Sequence, residues 1–195
     1  VNTGEILSLV SLPDFKPKEA GSAPKTSKFN RATLGVYEMG STFKAFNTAL
    51  ALDRCGIRPK QRFDTTHPIK IGGQTIRDFH SSKHWMNTAE IFIKSSNIGS
   101  ARMAEKCGKA RQKEFLAQLG LTDKMSLELP EVGKPIFPKG RRWGDTATMT
   151  ISYGHGIAVN AVQLAAASAA LVNGGVKVTP TLLKKTDQTP EVKKE

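Results

Sequence analysis

Apolar side chains recur at helical spacing in several stretches of the chain. In "STFKAFNTALALD", Phe43, Phe46 and Leu50 fall at i, i+3 and i+7, with Ala45, Ala49 and Leu52 filling the same broad side. That spacing predicts a buried helix from Ser41 to Asp53, with Gly40 permitting a sharp turn before it and Gly56 closing the region. "NTAEIFIKSSN" predicts a short helical segment that breaks at Ser95-Ser96-Asn97. "IGSARMAEKCG" restarts at once, with Ile98, Ala101, Ala104 and Cys107 on one face and Gly108 as its cap. "ARQKEFLAQLG" repeats that design to Gly120, and "QLAAASAALVNGG" is an Ala-rich helix closed by Gly174-Gly175, its small side chains suited to close packing. Strand patterns are fewer. "GEILSLVSLP" is β-compatible up to Pro13, and "DTTHPIKIGGQTIRDFH" alternates around a Gly72-Gly73 turn, as a small hairpin does. Loops are expected from Phe15 to Arg31 and from Leu129 to Arg142. No internal repeat is present, and helices dominate.

Composition narrows the class. The 195 residues suit one domain, or a large fragment of one, and 38% hydrophobic with 24% charged residues is globular rather than disordered. The net charge of +12 favours anionic partners such as nucleic acid, a membrane surface or an acidic polymer. Much of the excess lies in "FKPKEAGSAPKTSKFNR" and "LKKTDQTPEVKKE", which read as solvated segments, and no nucleic-acid recognition motif accompanies them. The longest apolar run, Ile157 to Val172, is interrupted by Asn160, Gln163 and Ser168 and falls short of the ~20 residues of a membrane span. "VNTGEILSLVSLPDF" lacks the basic start and cleavage signature of a signal peptide and reads as a point in mid-protein. The two cysteines, Cys55 and Cys107, allow at most one disulfide, and burial as free thiols is the expectation. They leave the redox compartment open.

The candidate chemistry begins at Ser41 and Lys44. Positions i and i+3 share a helix face, so Ser41 Oγ and Lys44 Nζ can meet. A serine hydroxyl is a weak nucleophile until a base takes its proton, and a desolvated lysine is such a base. A helix N-terminus supplies free N–H groups suited to a developing oxyanion. The bland alternative is a capping Ser41 with Lys44 in solvent. A second Ser-x-x-Lys, Ser22 to Lys25, lies beside Pro24 in a Gly/Ser/Lys-rich stretch and reads as loop. The Ser95-Ser96-Asn97 break opens toward a cleft, where Ser95 can relay a proton and Asn97 can hold an amide; its bland reading is a helix cap. Ser-x-x-Lys and Ser-x-Asn in that order are two members of the three-motif set of penicillin-binding proteins and class A β-lactamases. His80 and His84 lack a third ligand, so no metal site is expected. His155 shows no acid partner, and the glycines of "YGHG" suggest tight backbone packing. Trp85 and Trp143 read as packing residues. Gly154 to Gly156 is not a nucleotide loop, because no G-x-G-x-x-G follows.

Taken together, "GEILSLVSLPDF", "NRATLGVYEMGSTFKAF", "KSSNIGSARMAEKCG", "FLAQLGL" and "TMTISYGHGIAVNAVQLAAASAALVNGG" make the chain resemble a class B penicillin-binding protein transpeptidase over nearly its whole length. "GRRWGDTATMTISYGHG" is closest to the division-specific, septal FtsI-type branch, with the elongation-specific branch as the near alternative. The resemblance implies an α/β penicillin-binding/transpeptidase fold: an antiparallel sheet with helices on both sides plus a helical subdomain, here incomplete and helix-dominated. It implies Ser41 as acylated nucleophile, Lys44 as its proton acceptor, Ser95 as proton shuttle and Asn97 as holder of the substrate's peptide backbone, with no cofactor. Peptidoglycan stem peptides ending in D-Ala-D-Ala would be the substrate and β-lactams the inhibitors. Membrane proteins of the division complex would be partners, at the periplasmic face of the bacterial inner membrane, and nucleic acid would not. The third motif, Lys-[Ser/Thr]-Gly, does not occur in the 195 residues. The resemblance therefore implies that 1–195 is a partial transpeptidase domain, without the family's membrane anchor, pedestal and later strands. A β-lactamase or β-lactam sensor on the same fold is the second reading, although no Glu stands in a recognisable place to activate water. A non-catalytic basic polymer-binding fragment is the third.

Overall fold

The computed structural model describes residues 1–184; the tail segment "KTDQTPEVKKE" lies outside the described residues. In chain order the helices are α1 (Lys25–Lys28), α2 (Phe43–Arg54), α3 (Thr88–Ile93), α4 (Asn97–Cys107), α5 (Lys109–Gln118), α6 (Asp145–Ile151) and α7 (Ala161–Val172). The strands are β1 (Arg62–Phe63), β2 (Ile69–Ile71), β3 (Gln74–Ile76) and β4 (Met86–Asn87). Single 3-10 turns occupy Pro17–Glu19, Gly40–Thr42 and Gly140–Arg142. No helix among the described residues is long and apolar enough to cross a membrane. The chain divides into two compact units, 38–117 with 137–158, and 1–37 with 118–136 and 159–195.

The first unit carries the predicted chemistry. Its central helix, α2, buries Phe43, Lys44, Phe46, Asn47, Leu50 and Ala51. Leu52, expected on that face, lies on the solvent side instead, 42% exposed. The predicted hairpin forms as β2–β3, with Ile69 opposite Ile76 and Ile71 opposite Gln74. Ile69 and Ile76 pack with Ile98 and Ala101 of α4 and Met149 of α6. β1 pairs antiparallel with β4 over two residues each, too short for any alternation to announce them.

Gly99 lets α4 close on α3: a Cβ there would stand 2.7 Å from Ile91 Cδ1 and Cγ2, and Ile91 is fully buried. Gly99→Ala is expected to lower the unfolding free energy by about 1–3 kcal/mol through overpacking, measured by urea denaturation. An unchanged midpoint would show that the contact relaxes freely.

Two further expectations are corrected in this unit. Cys55 and Cys107 are not free thiols but form a disulfide, with a Cα–Cα distance of 5.3 Å. The helical pattern that placed Cys107 inside was right, since it is 3% exposed, but burial says nothing about whether the C-terminus of α2 arrives beside it. Trp143 is buried, whereas Trp85 is half exposed and not a packing residue. Trp143 Nε1 donates to Gln112 Oε1 at 3.1 Å. Gln112 Nε2 in turn donates to the Thr148 carbonyl of α6 at 2.9 Å, tying α5 to a helix whose Thr-rich sequence had not suggested one.

In the second unit α7 begins with a capping box, Asn160 accepting from the Gln163 N–H while Gln163 Oε1 accepts from the Asn160 N–H. Gln163 Nε2 also donates to the carbonyls of Gly120 and Asp123. The strand expected from Gly4 to Pro13 does not form. Only Glu5 bridges Thr181 there, and Leu7 is 95% exposed. Phe15 to Arg31 is loop apart from one 3-10 turn and α1, and Ser22 Oγ donates to the Glu19 carbonyl within it.

Candidate active site

The turn Gly40–Thr42 leads directly into α2, and it holds Ser41 exposed at the mouth of the helix. Gly40 takes φ +54, a left-handed value that glycine adopts without penalty. Three residues on, Lys44 is 3% exposed. Its Nζ donates to Ser41 Oγ at 3.1 Å, to the Ser95 carbonyl at 2.5 Å and to Ser95 Oγ at 2.8 Å. The alternative of a solvent-facing Lys44 is thereby removed. Ser41 is also not the cap of α2, whose N-cap is Thr42 with no side-chain capping bond.

Two helix ends sharing one serine pair put Ser95 there. The Ser95 N–H donates to the Phe92 carbonyl and the Ser96 N–H to the Ile91 carbonyl, the paired bonds of a Schellman motif closing α3. Ser95 occupies its left-handed position with φ +53, the one non-glycine with positive φ among the described residues. That backbone turn aims both the carbonyl and the hydroxyl of Ser95 at Lys44. Ser96 then opens α4, its Oγ accepting from the Gly99 N–H at 2.9 Å.

Asp78, at the end of the β2–β3 hairpin, clamps this junction. Its Oδ2 accepts from the Ser96 hydroxyl at 2.7 Å and its Oδ1 from the Ile98 N–H at 2.9 Å. Asn97 Nδ2 donates to the Arg77 carbonyl at 2.9 Å, so the hairpin also sets the orientation of that amide. Hence Ser41, Lys44 and Ser95 are joined by direct hydrogen bonds, whereas Asn97 stands beside them at the same break, bonded to the hairpin. Asp78→Ala would leave a buried hydroxyl and an N–H without their charged acceptor. The expected loss is about 1.5–3 kcal/mol of unfolding free energy, read by denaturant titration, with Asp78→Asn intermediate. No loss in the alanine variant would mean that water replaces the carboxylate without cost.

Electrostatics shift Lys44 toward the neutral amine. Burial pushes Lys44 down from 10.5 to about 8, against a smaller upward pull from the Asp78 carboxylate. At pH 7 a lysine with that pKa is about one-tenth neutral, far more than an ordinary one. The neutral amine keeps two N–H donors and gains a lone pair within reach of the Ser41 and Ser95 hydroxyls. A buried base between two hydroxyls, one of them exposed at a helix mouth, is the equipment for acyl transfer.

Sequence reasoning missed Asp78 and Ser96, and also Glu38. His155 does have an acid partner: its Nδ1 lies 3.2 Å from Glu38 Oε2. His84 Nδ1 shares a hydrogen bond with Ser82 Oγ, and His80 stands edge-on to Phe79. The described residues hold no group of three or more His, Cys, Asp or Glu side chains suited to a metal.

Known proteins share this chain's sequence and shape. The penicillin binding protein transpeptidase domain matches residues 1–195. The probable peptidoglycan D,D-transpeptidase FtsI of Caulobacter vibrioides is 42% identical over 185 residues, covering 95% of this chain and 31% of that protein. The peptidoglycan D,D-transpeptidase FtsI of Escherichia coli K12 is 30% identical, covering 90% of the chain and 30% of that protein. The chain thus spans about a third of the length of these curated relatives. Among solved structures, a peptidoglycan glycosyltransferase from Burkholderia ambifaria superposes with TM-score 0.84 at 26% identity, over 97% of this chain and 56% of that one. The transpeptidase domain of penicillin-binding protein 3 from Burkholderia pseudomallei gives 0.80 at 28% identity, over 97% and 53%. This chain belongs to the penicillin-binding protein transpeptidase domain family, on its FtsI-like class B branch.

Proposed function

We propose that the protein is a serine D,D-transpeptidase that cross-links peptidoglycan stem peptides during septal wall synthesis. One observation carries the reading: buried Lys44 Nζ lies between Ser41 Oγ and Ser95 Oγ, at 3.1 and 2.8 Å. In the proposed cycle neutral Lys44 takes the proton of Ser41 as its Oγ attacks the carbonyl of the penultimate D-Ala. The first N–H groups of the helix-leading turn face the developing oxyanion. Collapse of the tetrahedral intermediate breaks the peptide bond, and Ser95 passes the proton from Lys44 to the departing D-Ala nitrogen. The amine of a neighbouring stem then attacks the acyl-Ser41 ester, losing its proton along the same route and freeing the Ser41 hydroxyl. Asn97, with its amide oriented by Arg77, holds the donor peptide's backbone. β-Lactams present the same carbonyl on a ring and leave Ser41 acylated.

A periplasmic location beside the division machinery fits this chemistry, and the Cys55–Cys107 disulfide supports an oxidising compartment. The test is mass spectrometry of the full-length protein after incubation with a penicillin. A persistent adduct on the peptide carrying Ser41 is expected, and it should vanish in Ser41→Ala. Rapid turnover of the penicillin would point to a hydrolase, and no adduct together with salt-sensitive binding of an acidic polymer to a scaffold.

A further inference from the structure

The turn that presents Ser41 has no side-chain cap at its start. Met39, its N-cap residue, makes no such bond, and the Thr42 hydroxyl donates back to the Met39 carbonyl from inside the turn. Gly40 needs its positive φ and a Cβ on it would meet nothing within 4 Å, so the only local holds on this turn are backbone and hydroxyl bonds inside it, from the Phe43 N–H to the Gly40 carbonyl and from Thr42 to Met39. The support comes from the far end of the unit. A Cβ on Gly154 would overlap the Gly40 carbonyl oxygen and stand 2.7 Å from its C and Cα, so the two glycine backbones are pressed together. Gly154 itself has φ +84.

The residues after Gly154 are gripped by the segment that leads to Ser41. Glu38 Oε1 accepts from the Gly156 N–H at 2.8 Å, a bond spanning 118 positions. Glu38 Oε2 pairs with His155 Nδ1 at 3.2 Å, and the His155 ring stands edge-on to Tyr153 with centroids 5.3 Å apart. The two short segments, 38–40 and 154–156, are thus closed on each other by backbone contact at Gly40 and by one carboxylate at Glu38. The side chains are half exposed, so as a surface ion pair they would contribute little to stability. Their geometric effect is another matter, since acyl transfer depends on where Ser41 Oγ sits relative to Lys44 Nζ.

We propose that Glu38 is a positioning residue, which by clamping the Gly154–Gly156 loop onto Gly40 holds the Ser41 turn in register with Lys44. This rests on the acyl-transfer reading of the site. Glu38 need not touch substrate, because it acts through the loop and through Gly40.

Stopped-flow acylation of the full-length protein by a fluorescent penicillin separates the binding constant from the acylation rate constant. Glu38→Ala is expected to lower the acylation rate constant by about 10-fold or more, within the ~10²-fold that a 1 Å misplacement costs, with the binding constant within about twofold. Glu38→Gln keeps an acceptor for the Gly156 N–H and should recover most of the rate. Gly154→Ala, which forces the two backbones apart, should lose more than Glu38→Ala. Melting temperatures of the two Glu38 variants should match wild type.

A wild-type acylation rate in Glu38→Ala overturns the proposal, as does a loss confined to binding. So does a Gln variant as slow as Ala, which would make the charge itself the agent, or a large fall in melting temperature, which would make the role general stability. If wild type itself forms no Ser41 adduct, the acyl-transfer reading has failed, and that result is distinct from each of these.

Discussion

Lys44→Ala is expected to slow acylation of Ser41 by about 10²–10⁴-fold, the range a general base supplies. The side chain is buried and holds hydrogen bonds to Ser41 and Ser95 at once. Its loss therefore removes both the proposed proton acceptor and its link to Ser95. Lys44→Arg should not rescue, because a guanidinium stays charged and has no lone pair to offer. The pH profile is a sharper check. With Lys44 at about 8, the acylation rate constant should rise about tenfold per pH unit below 8 and level off above it. Folding stability follows the same protons. Between about 8 and 10.5 the unfolded chain holds a proton on Lys44 that the folded chain has lost, so the Lys44 contribution to stability rises with pH across that window. Below 8 the burial of a charged amine counts fully against the fold. A flat acylation profile from pH 6 to 9, or an alanine variant within tenfold of wild type, would remove Lys44 from the role of base.

The second large effect is on stability. The Cys55–Cys107 bridge joins the C-terminal ends of α2 and α4 and closes a loop with a sequence separation of 52. By chain entropy alone such a loop stabilises the fold by about 4 kcal/mol, because the unfolded chain cannot open it. Inside that loop lie the β2–β3 hairpin, Asp78 and the Ser95-Ser96-Asn97 break, all of which order the site. A Cys55→Ser, Cys107→Ser double variant should lose about 2–5 kcal/mol in urea denaturation, and reductant should lower the wild type toward the same midpoint. A difference below about 1 kcal/mol would show that the unfolded chain is already compact enough to make the cross-link redundant.

What could be read from the sequence was whatever is local. Phe43, Phe46 and Leu50 announce α2 because a helix repeats its burial every few residues, and Ser41 with Lys44 is legible for the same reason. The hairpin shows itself through Gly72-Gly73 and the flanking alternation. Ser95 lies 51 residues beyond Lys44, and no spacing rule brings them together; the resemblance to a known family did that. Features made by chain crossings stayed hidden. The disulfide needs the end of α2 to meet the end of α4. Glu38 finds Gly156 across most of the chain, and Asp78 reaches Ser96 and Ile98 from a neighbouring hairpin. The stretch 4–13 failed the other way: among the described residues only Glu5 is bridged, to Thr181, and a β-compatible sequence makes no strand on a single bridge. Helix α6 escaped because seven residues, several of them threonine, carry too little periodicity, and its backbone is held from outside by Gln112.

Ser95 stands where folding alone would choose glycine. A left-handed residue closing a Schellman motif costs a serine about 1–2 kcal/mol, and glycine would escape that cost. The chain accepts the cost and keeps a hydroxyl 2.8 Å from Lys44. Selection for heat resistance alone would mark this position for glycine, and the substitution would delete the hydroxyl that the proposed mechanism uses as its relay. On the proposed mechanism, resistance to unfolding and competence in proton transfer pull opposite ways at this one residue.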